Sequence, residues 1–499
     1  MPPAADRRSN DANVSPRCEA RADNSGGFDS SPAPSSAGSV LLADAAGGAR
    51  IDFGGLGDAP LVAALLARLQ RHSAADPPPD RGDEPGCRPS DQLLLRQGAE
   101  LVGHVRLVQH YAWFEAVRTP LVRLEDFVVT PGLHASQQRA DLLAAACQVA
   151  QREGAIAAIT STDDDATFER HGWTALRGQG HTRADASRVL AHLDAQSAVL
   201  HRKRRRPTID VRTWKQFELD KIIHIYDQTA PGGWGARCRS EAYWQWLVDG
   251  TAQDQLLLAC QPLKASADVA NHAAKSSESN APHKQREPRD SVEQVAAYAV
   301  VRGGCIVELA ALPASSRARV HLLARACRDA LDRGLRGITL YTPAADPLHE
   351  LLVTAGGGWI APVPGQPRLM FRLLDPYKWV ERMYPVWQRR AREAGIARPL
   401  RIVLQGGDAG KCAGVGEATQ FTFTRRSSRL ERADPKTAPA GVVQGAPTVV
   451  ESLLTGNLSI PRALEQQALV CRPAELAAIL AAIFAPRLFW QSPLDLLRA

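Results

Sequence analysis

The sequence predicts an α/β chain built on a duplicated strand–helix–strand unit and closed by a smaller α+β segment. Three observations carry this reading. ADLLAAACQVAQREG at 140–154 aligns without a gap on VHLLARACRDALDRG at 320–334, and both end in glycine. Apolar runs of strand length flank both copies, so the order of elements repeats along with the helix. Beyond Arg368 the pattern changes to short alternating stretches separated by helices.

Taken in order, residues 1–48 are Ser, Ala, Asp, Gly and Pro with few large apolar side chains, the composition of a disordered tail. Strands are expected at Ala49–Phe53, Asp91–Arg96, Glu100–Leu107 and around Trp113–Val117, with an amphipathic helix at Leu61–Leu69. Phe127-Val128-Val129 then closes a strand that Pro131-Gly132 breaks. The helix behind it carries Leu142, Leu143, Ala146, Val149 and Ala150 on one face, and Gly154 stops it. Ala155–Thr160 is a second strand. Asp163, Asp164 and Asp165 open the helix that follows, where acidic groups suit the dipole. Arg177–His192 is expected to cover or complete this first sheet.

The second unit starts at Ile209, and its paired strands Gln255–Cys260 and Val295–Val301 flank a polar insertion. Cys147 and Cys327 fall at matching places in the two helices and read as core residues. The expected bounds are a disordered tail at 1–48, a first domain at 49–206, a second at 207–366 with a mobile insertion at 264–293, and a C-terminal domain at 367–499.

At 499 residues the chain is too long for a single ordinary core. No run approaches the roughly 18 apolar residues of a membrane span, and MPPAADRRSNDANVSPR lacks the apolar core of a secretory signal, which points to the cytoplasm. Nine cysteines without a CxxC pair speak against a disulfide framework or a zinc site, so no metal is expected. The net charge of +7 owes much to His201-Arg202-Lys203-Arg204-Arg205-Arg206, which reads as a solvated linker. No aromatic-interleaved reader motif accompanies it, so nucleic acid is not an expected partner.

LEDFVVTP, LLAAACQVAQREG and FERHGW, taken together over 124–173, resemble the cofactor-binding core of the GNAT superfamily of acetyl-CoA-dependent N-acetyltransferases. Two such units in tandem before an α+β tail, with Arg239-Ser240-Glu241-Ala242-Tyr243-Trp244-Gln245-Trp246-Leu247 in the second, resemble the enhanced intracellular survival family. That resemblance implies two tandem GNAT-like domains followed by a sterol-carrier-protein-like domain. It implies acetyl-CoA as co-substrate and a primary amine, on a small molecule or a lysine side chain, as acceptor. A homo-oligomer is compatible with it.

The resemblance places the thioester against Phe127, Val128 and Val129, and the pyrophosphate on His134, Ala135, Ser136, Gln137, Gln138 and Arg139. The superfamily has Arg or Gln where His134 stands, glycine where Gln137 stands, and glycine or alanine where Arg139 stands. Phe168 takes the position of the family's acidic tyrosine, and Ala499 supplies the terminal carboxylate that can act as base. These departures leave two readings: an acetyl-CoA-dependent N-acetyltransferase, or a degenerate member that binds a CoA-like or apolar ligand or serves as a scaffold.

Overall fold

The computed structural model describes residues 41–69, 84–201, 209–252, 256–262, 293–362, 367–395, 400–406, 419–423, 428–432 and 441–496. The tail before Leu41, the basic run from Arg202, the insertion before Glu293 and Ala499 lie outside the described residues. Strand structure begins inside the stretch expected as tail: β1 (Leu41–Ala45) pairs with β2 (Ala49–Phe53). Helix α1 (Ala59–Leu69) buries Val62 and Leu65.

Strands β3 (Gln92–Gln97), β4 (Glu100–Phe114) and β5 (Val117–Val129) form an antiparallel ribbon. The separate strand expected around Trp113–Val117 does not exist. Instead β4 and β5 are long strands joined at Glu115 and Ala116, whose φ values are 47° and 68°. Such a left-handed pair normally calls for Asn or Gly. Here Arg389, Arg390 and Arg487 hold the Glu115 carboxylate, and the Glu115 N–H donates to the Gly233 carbonyl. Tertiary contacts supply what the local sequence lacks.

From β5 the chain runs through α2 (Ala135–Arg152) to β6 (Ala157–Thr162), which lies parallel to β5. The apolar face expected on α2 is buried, each of its leucines contributing about 1.5–3 kcal/mol. Helix α3 (Asp165–Arg170) then leads to the short β7 (Thr174–Ala175).

The next strand leaves this sheet. β8 (His181–Asp185), expected to complete the first sheet, pairs in the second, followed by α4 (Ala186–His201), β9 (Asp210–Thr213) and α5 (Leu219–Thr229). β10 (Trp234–Arg237) pairs with the far end of β4 and precedes α6 (Glu241–Leu247). β11 (Leu256–Pro262), β12 (Glu293–Arg302) and β13 (Cys305–Ala311) repeat the ribbon. Then come α7 (Ser316–Asp332), β14 (Gly337–Leu340), α8 (Pro347–Thr354) and β15 (Gly358–Ile360). The second sheet has the order β15-β8-β14-β13-β12-β11-β9. Cys147 and Cys327 are buried at matching places, as their spacing predicts.

β16 (Arg368–Leu373) returns the exchange. It lies antiparallel between β6 and β7 in the first sheet, just as β8 lies between β14 and β15 in the second. Each half of the duplication therefore completes the other's sheet.

The C-terminal part opens with α9 (Pro376–Glu393), which buries Trp379, Met383, Tyr384 and Trp387. β17 (Leu400–Gly406), β18 (Thr419–Phe423), β19 (Ser428–Arg432), β20 (Gly441–Gly445) and β21 (Leu469–Arg472) form a five-stranded sheet in the order β19-β18-β17-β20-β21. Helices α10 (Pro447–Leu454), α11 (Ile460–Glu465), α12 (Leu476–Ile483) and α13 (Pro493–Leu496) complete an α+β unit. Among the described residues no helix is long and apolar enough to cross a membrane.

Candidate functional site

Strands β5 and β6 part company halfway along. Their last paired residues are Leu124 and Thr160, yet β5 runs on to Val129 and β6 to Thr162. At the fork, the Thr160 hydroxyl donates to the Leu124 carbonyl at 2.9 Å. Beside the fork β5 carries a bulge: Arg106 faces Glu125 and His104 faces Val128, so two residues of β5 oppose one of β4. Asp126, at φ 51°, is the left-handed residue of that bulge.

His104 braces the bulge, with Nδ1 3.2 Å from the Asp126 carbonyl and Nε2 3.3 Å from Gln92 Oε1. Burial lowers its pKa to about 4, which favours the neutral ring in this brace. The half-buried Phe127 is the second residue of the bulge. Its ring meets Phe168 edge-on at 5.4 Å, and Phe168 meets Trp173 at 5.2 Å. Phe168 is only 1% exposed. It belongs to an aromatic floor under the opening and presents no acid.

The start of α2 closes the base of the opening. Ser136 and Gln137 are exposed, and their N–H groups belong to a first turn that has no intrahelical acceptor for them. Gln137 stands inside the helix, where φ is negative, so the absent glycine carries no conformational penalty. The side chains of this turn are otherwise engaged. His134 packs on Gly47, where an added Cβ would come within 2.6 Å of its ring. Gln138 donates to the Ala46 carbonyl at 3.1 Å, and Gln137 donates to Asp141 at 2.9 Å. Arg139 reaches Asp164 at 3.0 Å. Val129 is core, whereas Phe127 and Val128 are half-buried and Ala135 half-exposed at the turn.

Behind β4 and β5 lies a feature the sequence reading did not identify. Four arginines (Arg106, Arg123, Arg237, Arg239) and four carboxylates (Glu84, Glu125, Glu308, Asp495) form a buried, charge-balanced set. Glu125 is shared by Arg106 and Arg123. Arg237 reaches Glu84 at 2.8 Å and donates to the Tyr243 hydroxyl at 2.9 Å. Arg239 holds Glu308 at 2.6 Å and Asp495 at 2.9 Å, and the Tyr298 hydroxyl donates to Glu308. His110, beside Arg237 and Arg123, is pushed well below its ordinary pKa by burial and then by those cations. The signal was in the sequence: single charges inside apolar strands, as in LVRLED and CIVELAA.

Asp495 belongs to α13, so this network docks the last described helix. Leu494 is fully buried among Tyr226, Trp244 and Tyr298, and the Asp495 carbonyl accepts from Arg123 at 3.3 Å. Arg123 lies on β5, three residues before Asp126 of the bulge. Helix α13 thus reaches the strand that lines the opening, while Ala499 itself lies outside the described residues.

The second half has a matching fork, with β13 paired to β14 only at Cys305 and Ile306. There the stretch beyond β14 is tied down: His349 bonds Thr182 at 2.7 Å and Thr342 at 3.0 Å.

At the sequence level the chain matches no protein-family model and no curated protein. Solved structures do match. A GCN5-related N-acetyltransferase from Anabaena variabilis aligns over 89% of this chain and 99% of its own, with TM-score 0.62 and 13% identity. This chain has the fold of the GCN5-related N-acetyltransferases. A second such protein, from Kribbella flavida, gives TM-score 0.60 and 14% identity over 89% of this chain and 97% of that one. Eis1 from Mycobacterium abscessus gives 0.55 and 14% over 89% and 99%. Each of these likenesses covers 89% of this chain.

Proposed function

We propose that the chain is an acyl-CoA-dependent N-acyltransferase that takes acetyl-CoA in the opening between β5 and β6. The observation that carries this reading is the fork at Leu124 and Thr160, flanked by the bulge at Asp126 and the α2 N-terminus. A parted strand offers unpaired backbone groups to an extended ligand, and a helix start offers N–H groups to its phosphates. Phe127, Val128 and Val129 line the pantetheine side. Ala135, Gln137 and the turn between them, bordered by His134, Gln138 and Arg139, hold the diphosphate.

In the reaction the lone pair of a primary amine attacks the thioester carbonyl carbon. Charge gathers on its oxygen against β5 backbone N–H groups. The C–S bond breaks, the amine proton passes to a base, and the thiolate takes a proton from water, since Phe168 has none to give. The Ala499 carboxylate is the proposed base. The docking of Asp495 on Arg239 and Arg123 supports this, because Arg123 lies on β5 and Asp495 stands four residues before Ala499 in the sequence. The acceptor class is a small-molecule amine or a lysine side chain, and the C-terminal α+β unit is read as sterol-carrier-like; the bounds at 49, 207 and 367 divide the chain by sequence, while β1, β8 and β16 cross them in the sheets.

A second reading, binding without transfer, is favoured by Glu125. This carboxylate at the fork is already paired with two arginines. Isothermal titration with acetyl-CoA, followed by thiol release with a panel of primary amines, tests both. Binding with thiol release supports the transferase. Binding alone supports the second reading, and no binding refutes the cofactor assignment.

A further inference from the structure

The duplication preserves one ion pair in both halves. Arg139 and Arg319 each stand immediately before the matched helical stretch, the fifth residue of α2 and the fourth of α7. Asp164 and Asp346 are each the N-cap of the next helix, α3 and α8. Arg139 pairs with Asp164, and Arg319 with Asp346. In each case the other carboxylate oxygen accepts a backbone N–H of its own helix, Thr167 at 3.3 Å and Leu348 at 3.0 Å. Each clasp therefore links the helix that follows one forked strand to the helix that follows the other. Each spans the mouth of its fork.

The two clasps differ in exposure. The Arg139 and Asp164 side chains are 37% and 34% exposed, whereas those of Arg319 and Asp346 are 21% and 5%. A solvated pair is weak, typically below about 1 kcal/mol, and opens readily. A desolvated pair holds, because breaking it strands a charge in a poor medium. Side chains in a helix point back toward its N-terminus, so an Arg139 released from Asp164 can turn toward the helix start that carries the exposed Ser136 and Gln137.

We infer that the Arg139–Asp164 pair is a releasable gate, in which Arg139 exchanges the Asp164 carboxylate for the diphosphate of an acyl-CoA, while Arg319–Asp346 is a permanent staple. This rests on the cofactor reading above and adds a competition to it: Asp164 and the diphosphate claim the same guanidinium. Asparagine also caps helices well, so Asp164→Asn removes the competing charge and keeps the α3 start.

The test is isothermal titration of the full chain with CoA, alongside melting curves. Asp164→Asn should bind CoA about two- to fivefold more tightly than wild type, the range that a pair of this weakness allows. Arg139→Gln should bind about tenfold more weakly, and with Arg139 already Gln the Asp164→Asn change should have no further effect. Asp346→Asn should lower the melting temperature and leave CoA affinity unchanged. If wild type binds CoA and Asp164→Asn binds no more tightly, the gate is overturned while the cofactor reading stands. Tighter binding by Asp346→Asn would overturn the distinction between gate and staple. If wild type does not bind CoA, the cofactor reading fails and takes the gate with it.

Discussion

Two cuts at the end of the chain separate anchoring from chemistry. The first is Asp495→Ala. The Asp495 and Arg239 side chains are 1% and 0% exposed, so removing the carboxylate leaves a buried guanidinium with one partner instead of two. Breaking a buried pair costs about 3–5 kcal/mol, and the lower end applies because Glu308 still holds Arg239. At about 2 °C per kcal/mol, the melting temperature should fall by roughly 6 °C. The second cut deletes residues 497–499, which leaves Leu494 and Asp495 in place. Melting temperature and acetyl-CoA affinity should then stay as in wild type, while turnover drops by at least about 100-fold, the low end for loss of a general base. Calorimetry, titration and a thiol-release assay read all three quantities. Full turnover after the deletion would refute the carboxylate base, and an unshifted melting temperature in Asp495→Ala would refute the anchor.

Other outcomes follow from single groups. Burial lifts Glu451 from 4.5 to about 7, against a smaller opposing effect of Arg372. The unfolded chain therefore ionises first, so stability falls as pH rises from about 4.5 and the full penalty, about 3 kcal/mol, is present above about 7. Urea unfolding should show Glu451→Gln more stable than wild type at pH 8 and not at pH 4.5; an equal gain at both would contradict this. Gln137→Glu should weaken acetyl-CoA binding about tenfold and shift the melting temperature little, since the favourable helix start offsets the lost bond to Asp141 and the repulsion from it; unchanged affinity would move the diphosphate elsewhere. Phe168→Tyr places a hydroxyl in the aromatic floor and should cost about 1–3 kcal/mol. A rise in thiol release at unchanged melting temperature would show the ring facing the cofactor instead.

The sequence carried the duplication and the elements around it because these are written in local terms. The apolar faces of α2 and α7, the glycine stops and the matched cysteines all follow from helical spacing. The hairpin at Glu115 was not legible, because its left-handed backbone is held by Arg389, Arg390 and Arg487, far along the chain. The strand exchange was hidden for a similar reason. β8 follows β7 directly, and nothing in HTRAD says which sheet it will join. At the site, the positions of Phe127 and Gln137 came from the resemblance, but their settings did not. That His134 serves Gly47, that Gln138 serves Ala46 and that Phe168 is floor all depend on partners distant in sequence.

The exchange also bears on how the opening works. β16 pairs with β6 along its whole length, from Thr162 to Ala157, so the strand forming one wall of the fork is backed by a strand from beyond the second half. The other wall, β5, carries Arg123 and Glu125, tied through Asp495 and Arg239 to the second half's core. Both walls are thus fixed by residues that follow position 230. A fragment ending near residue 206 would contain every residue of the cofactor turn, yet it would lack the backing of β6 and the anchor of β5. Such a fragment should fail to bind acetyl-CoA even where it keeps helical structure by circular dichroism. Binding by that fragment at wild-type affinity would show that the fork is held by its own half alone.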